Sequence, residues 1–111
     1  MTVANEELQT LSFTIILYAG NARSLAMEAI KLAKENKIYE AKEKIEESNS
    51  EFVKAHHEQT QLLQDEASGK HSDVPIILVH AQDHLMTAMT VKDLAIEMID
   101  MYEKMYQLEA K

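Results

Sequence analysis

The segment from Pro75 to Leu108 carries more apolar surface than two neighbouring helices can cover. At 3.6 residues per turn, Ile77, Ala81, Leu85, Ala88, Ala95, Ile99 and Tyr102 form one row. Thr87, Thr90, Leu94, Met98, Met101, Met105 and Leu108 form a second, while Leu78, Met86, Met89 and Ile96 lie elsewhere round the cylinder. A helix apolar round most of its circumference needs partners on several sides. Self-association through this helix, as a coiled-coil-like seam about a symmetry axis, is the economical solution. Asp83 extends the second row toward the amino end and is therefore expected to face that axis. The pattern itself leaves dimer, trimer and tetramer open.

The rest of the chain reads as two further helices. With two Gly and one Pro in 111 residues, there are few places where a helix must stop. The first pattern runs over about 5–35, with Asn5 as a possible cap and an apolar stripe through Leu8, Leu11, Ile15, Ala19, Ala22, Ala26, Ala29, Ile30 and Ala33. Gly20 interrupts it at a cost of up to ~1 kcal/mol relative to Ala, a cost that close approach of another helix would explain. Asn36-Lys37 makes a short turn. The second pattern covers about 39–67, with Ala41, Ile45, Phe52, Ala55, Gln59, Leu62, Leu63 and Ala67 on its better-buried side. Gly69 suits the left-handed position beyond its last turn. The third covers about 73–108, capped by Ser72 or Asp73 with Pro75 in the first turn. Short turns between long helices make antiparallel neighbours, so 1–111 is expected to be a single all-α domain, an antiparallel three-helix bundle.

Composition removes several classes of function. The chain has no Cys, which excludes disulfides, thiolate metal sites and Cys nucleophiles. A net charge of −8 with no basic stripe argues against nucleic acid and against anionic membrane surfaces. The amino-terminal residues lack the basic and apolar regions of a signal peptide. The apolar run around residue 80 contains two His, Gln82, Asp83 and two Thr, too polar to insert into a bilayer. A cytoplasmic protein is expected.

From Val74 to Val91 the only formally charged side chain is Asp83, flanked by His80 and His84. An unpaired ion in apolar surroundings costs several kcal/mol, so each of these groups needs a partner or a chemical use. On a helix His80 and His84 project about 40° apart, with Asp83 about 60° from His80. Joint metal binding by the two imidazoles fits that spacing, but His-Ala-Gln-Asp-His lacks the Glu that acts as base in zinc-peptidase helices. A structural histidine in a polar core seam is a second reading. Nucleophilic attack by a neutral imidazole on a phosphoryl group is a third, because the resulting P–N bond stays reactive enough for onward transfer. No Gly-rich phosphate loop is present, so such a carrier would take phosphate from a protein and use no nucleotide.

Ile76 to Thr87, read I-I-L-V-H-A-Q-D-H-L-M-T, closely resembles the active-site segment of the lactose/cellobiose-type IIA component of the bacterial phosphoenolpyruvate-dependent sugar phosphotransferase system. Tyr18-Ala19-Gly20-Asn21-Ala22-Arg23-Ser24 resembles that family's first-helix motif. Ala55-His56, Gln59-Thr60 and Glu66-Ala67-Ser68-Gly69 resemble its second-helix and turn motifs. The resemblance implies that His80 accepts phosphate from the phosphocarrier HPr and passes it to a cysteine of the IIB component, which phosphorylates sugar entering through the membrane component IIC. It also implies a homotrimer, a nine-helix bundle in which one Asp83 per subunit meets at the axis around a divalent cation such as Mg²⁺. Gln82 and His84 take supporting roles in this reading, bonding the phosphoryl group or steering the His80 ring. A structural or partner-binding helical oligomer without phosphotransfer is the alternative.

Overall fold

Three long helices make up nearly all of the computed structural model, which describes residues 3–70 and 73–111, with side chains from residue 6 onward. They are α1 (Val3–Lys34), α2 (Ile38–Ala67) and α3 (Ile76–Glu109). No strand occurs among the described residues. Cross-helix pairs set the direction of each helix. Ala22 meets Ser48 and Asn21 meets Glu51, so α2 runs antiparallel to α1. Gly20 lies against His84, and Tyr106 donates a hydrogen bond to the carbonyl of Lys34, so α3 runs parallel to α1. The result is an up-down-up rod of 64 × 22 × 18 Å.

Small residues dominate the interior. Ala19, Ala22, Ala26, Ala29 and Ala33 of α1 are buried, as are Ala41 and Ala55 of α2 and Ala81, Ala88 and Ala95 of α3. Among the described residues, Ile15 and Leu85 are the only large apolar side chains with no solvent exposure, with Phe52 and Ile99 nearly so. Such a seam lets helix backbones approach closely, and it leaves room for hydroxyls that bond backbone carbonyls. Ser48 Oγ donates to the carbonyl of Ala22 at 2.6 Å across the α1–α2 contact, and Ser12 Oγ to that of Leu8 at 2.7 Å.

The two rows of α3 separate as their spacing requires. The Ala81–Leu85–Ala88–Ala95–Ile99 row faces the core. The other stays in solvent, with Leu94 52%, Met101 62% and Leu108 70% exposed. Its two threonines turn their hydroxyls inward. Thr87 Oγ1 donates to the carbonyls of Asp83 (3.0 Å) and His84 (3.1 Å), and Thr90 Oγ1 to that of Met86 (3.3 Å). Their methyl groups then join an apolar strip.

The carboxy-terminal ends of α1 and α2 close in the same way. Asn36 (φ 64°) and Gly69 (φ 91°) occupy left-handed conformations just past α1 and α2. After α1, Lys37 N–H bonds the carbonyl of Leu32 and Asn36 N–H that of Ala33. After α2, Lys70 N–H bonds Asp65 and Gly69 N–H bonds Glu66. Each is a Schellman closure that satisfies orphan carbonyls. A Cβ at Gly69 would meet nothing within 4 Å, so Gly69→Ala isolates the conformational penalty. Chemical denaturation should show a loss of about 1 kcal/mol with an unchanged slope.

Two expected helix starts and one expected buried face need correction. Helix α3 begins at Ile76, not at 73, with extended Pro75 (φ −73°, ψ 154°) as its cap residue and no side-chain cap. Proline disfavours the helical conformation in the residue before it, which keeps Val74 and Asp73 out of the helix. Ser72 lies outside the described residues. Helix α1 extends back to Val3, so Asn5 lies within it; the Asn5 side chain is outside those described. On α2, Leu63 is 58% exposed and Ala67 is also exposed; in the last turns of α2 it is Leu62, on a different face of the helix from Leu63, that packs against the core.

Candidate functional site

The amino-terminal half of α3 carries His80, Gln82, Asp83 and His84 within about three turns of its start, and the helix sends them in three directions. His80 and His84, one turn apart, stack with ring centroids 6.0 Å apart and planes at 18°. His80 is exposed, whereas His84 is half-buried against α1. A Cβ placed on Gly20 would lie 3.4 Å from His84 Nε2. The close approach expected at Gly20 is thus made by one imidazole.

Gln82 points the other way. Its Oε1 accepts a hydrogen bond of 2.6 Å from Gln59 Nε2, tying α3 to α2. The bond is partly buried, so Gln82 spends its acceptor on the bundle, on the side away from the two rings. Asp83 is exposed at the head of the outer apolar strip. Among the described residues no group of three or more His, Cys, Asp or Glu side chains is placed to hold a metal ion.

Exposed apolar residues occur on the same stretch of α3 as His80 and on the Gly20 stripe of α1. Ile76 is 87% and Val79 59% exposed on α3. On α1, Phe13 and Leu17 share the stripe of Gly20 and stay in solvent. An exposed imidazole with exposed apolar side chains on the same stretch of helix suits contact with another protein surface that excludes water.

Behind this surface, Asn21 beside Gly20 donates to Glu51 Oε1 at 3.1 Å, and Lys54 Nζ lies 2.9 Å from Glu51 Oε2. The hydrogen bond from Lys54 chiefly, helped by that from Asn21, lowers the Glu51 pKa against the opposing effect of burial. A depressed carboxylate pKa stabilises the fold at neutral pH, and that contribution is lost as pH falls through the lowered value. The tie fixes the register of α1 against α2 beside Gly20. Sequence places Asn21 in the first-helix motif but gives it no partner, and Glu51 carries no signal of its own. His56 is exposed on α2, and its carbonyl accepts from Thr60 Oγ1.

No helix among the described residues is long and apolar enough to cross a membrane. Residues 10–103 match the family model of the phosphotransferase system (PTS) lactose/cellobiose-specific IIA subunit. The chain is 53% identical over 100 residues to the lichenan-specific phosphotransferase enzyme IIA component of Bacillus subtilis, covering 90% of this chain and 91% of that one. It is similar to the crystal structure of the cellobiose-specific enzyme IIA of Bacillus anthracis, with a TM-score of 0.86 and 49% identity over 100% of this chain and 95% of that one. It is also similar to the Escherichia coli IIA(chitobiose) in solution structures of the complex with HPr, with a TM-score of 0.78 and 37% identity over 89% of this chain and 96% of that one. An all-helical chain with this histidine pair, matched over most of its length, belongs to the lactose/cellobiose-specific IIA family of the sugar phosphotransferase system.

Proposed function

We propose that the chain is a phosphoryl carrier in which His80 takes phosphate from phospho-HPr and gives it to a IIB cysteine on the cytoplasmic side of a sugar transporter. The observation that carries this reading is the exposure of His80 at the edge of an apolar surface, its ring stacked on that of His84. A neutral imidazole nitrogen of His80 forms a bond to phosphorus as the donor's bond to the same phosphorus breaks. In the second step the new P–N bond breaks as the cysteine sulfur takes the phosphoryl group. What this chain supplies is positioning and a partner-covered, water-poor surface. The HPr complex formed by the E. coli relative supports HPr as donor.

The working unit in this reading is a homotrimer, a nine-helix bundle. Its outer α3 strips pack together and one Asp83 per subunit meets at the axis. Three converging carboxylates repel unless neutralised, and a hard divalent cation such as Mg²⁺ suits their oxygens. Gln82, held by Gln59, supports the site through the α2–α3 contact.

The test is incubation with phosphoenolpyruvate, the first phosphotransferase enzyme and HPr. One acid-labile phosphate per chain is expected by mass spectrometry. No uptake would leave a helical oligomer with no part in phosphotransfer.

A further inference from the structure

We propose that Gly20 is a positioning residue for this transfer. By withholding a side chain, it seats the His84 ring against α1, and His84 in turn orients the ring of His80. The proposal rests on His80 being the phosphate carrier. Gly20 lies inside an unbroken helix, has no positive φ and takes part in no turn, so its backbone freedom is not in use. What its missing side chain does provide is room for one group. A Cβ there would stand 3.4 Å from His84 Nε2, at the limit of ordinary contact, so a bulkier side chain directed the same way would press on the ring. On its other side the His84 ring lies nearly parallel to His80, with 6.0 Å between centroids. His84 is half-buried and His80 exposed, so the first can act as a fixed surface for the second. The order of support runs from α1 backbone to His84 to His80. An exposed imidazole otherwise turns freely about its side-chain torsions, and in-line transfer tolerates little misplacement of the attacking nitrogen.

Three proteins test this: Gly20→Leu, His84→Ala and the double variant. Leu is a strong helix former, so α1 should keep its helix content by circular dichroism. Two-dimensional NMR of the unphosphorylated proteins should show the His84 ring signals of Gly20→Leu displaced, with those of His80 shifted as well. At saturating phospho-HPr the rate of phosphate uptake should fall on the order of 100-fold, the scale set by a misplacement of about 1 Å, with little change in half-saturation. In the His84→Ala background, where the ring is gone, Leu at position 20 should add no further loss. The idea is overturned if Gly20→Leu transfers phosphate like the parent, or if its loss persists in full on top of His84→Ala. Failure of the parent chain to take phosphate would sink the carrier reading instead, while the NMR comparison would still decide whether Gly20 seats the His84 ring.

Discussion

A His80→Ala chain should take up no detectable acid-labile phosphate from phospho-HPr under conditions that load the parent with one per subunit. His84 is the only other imidazole on that face of α3 among the described residues, and it is half-buried against Gly20 rather than presented to solvent. It should not replace the lost nucleophile. The substitution is also structurally mild. His80 is exposed and fills no cavity, and Ala is the better helix former, so unfolding free energy should change by no more than about 0.5 kcal/mol. Loss of uptake with an unchanged melting curve therefore reports chemistry and not collapse. His84→Ala makes the informative contrast: uptake should persist at a reduced rate, because the nucleophile remains while its ring loses a supporting surface. Labelling of the His80→Ala protein at the parent's level would end the assignment.

The helix periodicity carried most of the architecture, for a reason visible in α3. Its core row and outer row differ by a rotation about the helix axis, and a 3.6-residue repeat encodes that rotation directly, so Ala81, Leu85 and Ala88 went inside while Leu94 and Met101 went outside. Chain ends were less legible. The α3 start depended on whether Asp73 capping or the constraint of Pro75 on Val74 would prevail, and local sterics prevailed. In the site, the approximate directions of His80, Asp83 and His84 followed from helix geometry. The partners did not. That Gln82 would be engaged by Gln59, or that the neighbour of Gly20 would be His84, depends on which turns of two helices lie at the same height. Spacing within one helix contains no record of that height.

Replacing Leu94 and Met101 together by Glu should convert the proposed trimer into single 12.6 kDa subunits, measured by analytical ultracentrifugation. Leu94 and Met101 are 52% and 62% exposed in the isolated subunit, so the substitutions need not disturb its own core, and helix content should be retained. In the assembly the same residues would be packed about the axis, where every substitution enters three times. Each carboxylate taken out of water without a partner costs several kcal/mol, and six in one seam exceed what an interface of this kind can recover. The location matters as much as the charge. Val53 on α2 is 58% exposed but lies off the strip, so Val53→Glu should leave the mass unchanged. Asp83 continues the same strip toward the amino end and already brings one carboxylate per subunit, so loss of a bound cation should weaken the assembly in the same direction. Chelation should accordingly lower the melting temperature of the parent and have no such effect on Asp83→Asn, whose amides need no counter-ion. A double-Glu protein that sediments with the mass of the parent would show that copies of the chain meet through some other face.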